Sequence, residues 1–84
     1  MVKLTNILLD VDAQTISCDF YPEDSKIPGR LTVDVETHEI KEYTLPENYK
    51  HTQNQMHKAK DRLLHYLATK EIPPKEKVVL IMWY

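Results

Sequence analysis

Two spacing patterns divide the chain. Through residue 45 apolar side chains recur at every second position, and from Tyr49 to Leu67 they recur at every third or fourth. Ile7, Leu9 and Val11 are followed by Ile16, Cys18 and Phe20 on the far side of "DAQT". Pairing 11 with 16, 9 with 18 and 7 with 20 places all six on one face. That register predicts a hairpin closed by a tight connection at Asp12–Thr15.

The stretch Pro22 to Gly29, "PEDSKIPG", has loop composition. Leu31, Val33 and Val35 then alternate with Thr32, Asp34 and Glu36, and Ile40 to Leu45 resumes a strand-like run after "ETHE". Two registers compete in this second hairpin. Pairing Val35 with Ile40 turns Glu42 inward, whereas a shift of one residue brings Tyr43 and Leu45 inward and expels Ile40. A bulge reconciles part of the conflict.

Tyr49, Thr52, Met56, Ala59, Leu63, Tyr66 and Leu67 form the stripe of an amphipathic helix. Its start carries two capping-box patterns, Thr44 with Glu47 and Thr52 with Gln55. Pro73 and Pro74 forbid its continuation. The closing run "KVVLIMWY" is β-branched and aromatic, apolar on both faces, and reads as a fifth strand. A strand of that kind is usually central or covered. The apolar "ILL" of residues 7–9 makes the first strand its best neighbour, antiparallel to it. The expected architecture is one α+β domain over residues 1–84, in the order ββββαβ. It is a largely antiparallel five-stranded sheet with one amphipathic helix packed on one face.

One helix covers one face. On the other, Asp10, Asp12, Ser17, Asp19, Asp34 and Glu36 are expected along the first three strands, and Leu8 with alternate members of Val78–Tyr84 beside the first and fifth. An exposed apolar patch marks an interface. Trp and Tyr are also enriched where binding energy concentrates. Leu8, Met82, Trp83 and Tyr84 are therefore the candidate interaction residues.

Composition narrows the alternatives. The 84 residues include one glycine and one cysteine. Gly-rich phosphate loops, an intrachain disulfide and a cysteine-based zinc site are thereby excluded. No apolar run approaches the ~20 residues of a membrane helix, and the opening residues lack signal-peptide character. The expectation is a reduced, cytoplasmic protein without membrane association.

Charge is uneven: residues 1–45 hold four basic and nine acidic side chains, a net of −5, and residues 46–84 hold seven and four, a net of +3. A nucleic-acid-associated role for the basic helix, residues 50–70, is the alternative to a protein-interaction module. Against it, Lys58 and Arg62 share one flank while Lys60 lies on another.

No catalytic constellation assembles. Cys18 falls mid-strand on the inner face, as a packed core cysteine does. His57, Asp61 and His65 step by four along the helix on its wet side; the first and last are about 12 Å apart by helix rise, so the three cannot converge on one ion. His38 is read as a turn residue able to adopt the left-handed conformation. No catalytic residue, cofactor or metal site is expected. The partner is expected to be a protein, either a second copy in a homodimer or a different chain.

Overall fold

A computed structural model describes residues 1–82 of the chain. Five strands and one helix follow in the expected order: β1 (Val2–Asp10), β2 (Thr15–Pro22), β3 (Gly29–Asp34), β4 (Ile40–Thr44), α1 (Gln53–Thr69) and β5 (Val79–Ile81). All neighbouring strands are antiparallel, in the spatial order β4-β3-β2-β1-β5. The helix lies over β2 and reaches β1 and β3 on either side. Its Met56, Ala59 and Leu63 are buried against Val2, Leu4, Ile7, Ile16, Cys18, Phe20, Leu31 and Val33.

The first hairpin forms in a different register from the expected one. Leu9 pairs with Ile16 and Leu8 with Ser17, but farther along Thr5 pairs with Asp19 and Leu4 with Phe20. Asn6 and Ile7 together therefore face Cys18, a β-bulge, and Asn6 sits at φ 53°. Asparagine tolerates that left-handed position better than most residues. The bulge switches which parity points inward: Val2 and Leu4 face the helix on one side of it, Ile7 and Leu9 on the other. Val11, expected inside, lies in the four-residue turn and is 76% exposed. The turn is organised by Asp10, whose Oδ1 accepts a hydrogen bond from the Ala13 amide at 3.0 Å. Asp12 is simply a turn residue.

A bulge also resolves the second hairpin. Leu31 pairs with Tyr43 and Thr32 with Glu42, whereas Val33 pairs with Ile40, leaving Lys41 as the extra residue. Ile40 and Tyr43 thus both take the helix side, and Glu42 takes the open side. Asp34 closes the connection: its carboxylate accepts from the amides of Glu36 (2.8 Å) and Thr37 (3.0 Å), and His38 follows at φ 63°. These two amides hold the Asp34 carboxyl below its usual range. Glu36 belongs to this turn and not to the sheet face.

The helix begins after Thr52, as one of the two capping patterns predicts, but without the capping box. Thr52 Oγ1 donates to the Tyr49 carbonyl at 2.5 Å and caps nothing. Gln55 reaches sideways instead. Its Oε1 accepts from the Glu23 amide at 2.9 Å and its Nε2 donates to the Glu23 carboxylate, tying the β2–β3 loop to the first turn. The helix stops at Lys70 in the left-handed conformation, φ 59°, before the prolines are reached.

The single glycine, Gly29, has a negative φ; its value is space. It stands opposite Phe20, and a Cβ there would meet the Thr44 carbonyl oxygen and come within 2.7 Å of Phe20 Cζ. Among the described residues, the six at positive φ are all non-glycine.

Candidate interaction surface

The sheet's open face has a polar middle. Asp19 accepts from Arg30 Nη1 and from Asn6 Nδ2, each at 2.8 Å, while Arg30 Nη2 donates to Ser17 Oγ at 3.1 Å. This network joins β1, β2 and β3 and compensates the Asp19 carboxylate. Of the acidic residues expected on the face, Asp10, Asp19 and Asp34 lie within strands, and Asp19 is ion-paired. Arg30, Thr32, Glu42 and Thr44 line a shallow groove of about 220 Å³ between β3 and β4. Its walls carry one cation and one anion, which favours no single class of ligand.

The apolar part of the face belongs to β5. Val79 and Ile81 point to the helix side and are 8% exposed, whereas Leu80 is 54% and the flanking Met82 63% exposed. Val78, on the other flank, is exposed as well, so alternation places Val78, Leu80 and Met82 in one row. Lys3, the register partner of Leu80, stacks its ammonium 4.3 Å from the Tyr21 ring centroid and bounds the row toward the sheet interior.

β5 lies beside β1 as expected, but it is not central, one of the two placements its doubly apolar pattern suggested. It is the edge strand, hydrogen-bonded to β1 on one side only. The physical reason is that the other four strands are already joined to one another in the order β4-β3-β2-β1, so that among the described residues none is left to cover the outer side of β5.

The candidate residues do not form one patch. Leu8 is half exposed on the open face, but it lies five positions along β1 from Lys3, roughly 16 Å away from the level of Leu80. Met82 lies beyond Leu80 in the opposite direction. Leu8 is thus an isolated exposed apolar residue, an ordinary feature of protein surfaces. Met82 belongs to the β5 row. Trp83 and Tyr84 lie outside the described residues. Leu80 and Val78 complete the row, and the alternation within "VVLIM" was the signal that points to them.

The other candidates carry no chemistry. Cys18 is fully buried, and burial, reinforced by the Asp19 carboxylate, pushes its thiol up to about 12. A thiol in that state is not a nucleophile. His57, Asp61 and His65 are exposed on the helix. Among the described residues no three His, Cys, Asp or Glu side chains converge as metal ligands. None of the described helices is long and apolar enough to cross a membrane. No family model, curated protein or solved structure matches the chain.

Proposed function

We propose that this protein is a small interaction module that acts by binding another protein chain through β5, without catalysis. The observation that carries this reading is the exposed apolar row Val78, Leu80 and Met82 on a strand that ends the sheet. A domain of 84 residues has little apolar surface to spare, and a row of three such side chains left outside the core is best explained by a partner. Trp83 and Tyr84, next in the chain, extend the apolar sequence with two residue types favoured in interfaces. The nucleic-acid alternative lacks comparable support, because the basic side chains of the helix do not share one flank.

A hydrophobic fluorescent dye tests the reading on the native protein. The folded chain is expected either to bind the dye or to bury the row by self-association. A Leu80→Ser/Met82→Ser double variant, checked for intact folding by circular dichroism, is expected to do neither. A folded wild-type monomer that does not bind the dye overturns the proposal.

A further inference from the structure

The two edges of the sheet are built differently. The β4 edge carries the bulged Lys41 followed by Glu42, and every residue of β4 after Ile40 is exposed. A charge and a bulge are the usual devices by which an edge avoids pairing with another chain. The β5 edge has neither, and of the usual devices it carries only its shortness, three residues. From Val78 to Met82 each side chain is apolar, without proline, glycine or charge, and the ladder to β1 is regular from Val2 to Leu4. Its outer backbone groups have no strand beside them among the described residues.

The edge is also chemically symmetric about Leu80. A two-fold axis normal to the sheet keeps each face on its own side, so antiparallel pairing between copies must match odd residues with odd and even with even. Centred on Leu80, it sets Leu80 against Leu80 of the second copy, Val79 against Ile81, and Val78 against Met82. Every one of these pairs is apolar on both sides. The largely buried Val79 and Ile81 meet on the helix face, and the Val78/Leu80/Met82 rows meet on the open face. Centring on Val79 instead drives Lys77 against Ile81 on the apolar helix side. Since residues along a strand direct their backbone groups alternately left and right, a pairing centred on Leu80 is hydrogen-bonded whichever set points outward.

We propose that the partner is a second copy of this chain, joined by antiparallel pairing of β5 with β5 centred on Leu80, so that two five-stranded sheets become one continuous sheet. This rests on the reading of β5 as the interaction surface and adds the partner and the mode of contact. The contact is short, so association in the micromolar range is expected.

The experiment measures oligomeric state by sedimentation together with amide hydrogen exchange at residues 79–81 of the wild-type chain, each as a function of concentration. A dimer at high micromolar concentration is expected, with outward-facing β5 amides that become protected as it forms. Leu80→Lys sets two like charges opposite each other on the axis and is expected to weaken the dimer roughly tenfold or more; Leu8→Lys, away from β5, leaves it unchanged. A wild-type monomer at that concentration overturns edge pairing, while dye binding by the same monomer leaves the interaction-module reading standing. A dimer whose β5 amides gain no protection overturns it too, because packing through the open face leaves those amides in solvent.

Discussion

Gly29 and Phe20 are direct partners across the β2–β3 ladder, and the ring of Phe20 occupies the space that a side chain on Gly29 would need. Gly29→Ala is therefore expected to destabilise the domain by about 1–3 kcal/mol through overpacking. Backbone strain is not involved, since φ is negative at this position. Urea unfolding measures the loss. Combining Gly29→Ala with Phe20→Leu is expected to give less than the sum of the two single effects, because they share one contact.

Gln55 is buried on the helix and bonded to both the amide and the carboxylate of Glu23. Gln55→Leu is expected to cost about 1–3 kcal/mol, because it strands the Glu23 amide. Gln55→Glu has a distinct signature. Two carboxylates then face each other, and the pair's folded-state pKa rises above the unfolded value. The variant should approach wild-type stability at acid pH and fall behind as pH rises through the carboxylate range. Thermal melts across that range read the sign.

Lys70 ends the helix in the left-handed conformation at φ 59°, where glycine is the preferred residue. Lys70→Gly is expected to raise stability by up to about 1 kcal/mol, the relief of strain exceeding the added freedom of the unfolded chain. His38, at φ 63° in the β3–β4 turn, is expected to respond in the same direction. A higher melting temperature for each variant is the check.

Thr5 Oγ1 is buried and has no hydrogen-bond partner among the described residues. Thr5→Val keeps the branched shape and removes the hydroxyl, so it is expected to be neutral or stabilising by about 1 kcal/mol. A loss of stability on chemical denaturation would contradict this account of the site.

Cys18 has a folded-state pKa pushed up to about 12, against 9.0 for the unperturbed thiol. The unfolded chain therefore loses this proton first as pH rises. The contribution to stability is complete below pH 9 and declines as pH climbs toward 12. Native protein at mildly alkaline pH is expected to resist thiol reagents, and the rate of modification should track unfolding. Rapid labelling of the folded state would contradict the burial.

Much of the fold was legible in the alternation of apolar residues, because each strand buries one face and the helix buries a stripe. The neighbourhood of β1 and β5 followed from the shared apolar character of "ILL" and "VVLIM". What spacing could not convey was the pair of bulges. A bulge changes inward parity without changing composition, so the real inward set, Val2, Leu4, Ile7 and Leu9, looked like a different alternation ending in Val11. In the second hairpin the conflict between Ile40 and Tyr43 was itself the trace of a bulge, and Lys41 resolves it. The surface was legible in part. Met82 and its apolar neighbours were visible in the sequence, but the separation of Leu8 from them depends on register, and the edge position of β5 depends on how the whole sheet is ordered.

The pairing of Val2 with Ile81 has a kinetic consequence. It joins positions at nearly the greatest separation this chain allows, so forming it closes almost the entire chain into a loop. Hairpins such as β1–β2 and β3–β4 need only short closures and can assemble early. The β1–β5 contact carries the largest entropic penalty for only three residue pairs. It is therefore the natural last step of folding and the first to open. Until it forms, the edge of β1 is bare, and a crowded solution of newly made chains passes through a stage in which β1, rather than β5, is the strand that strangers can reach.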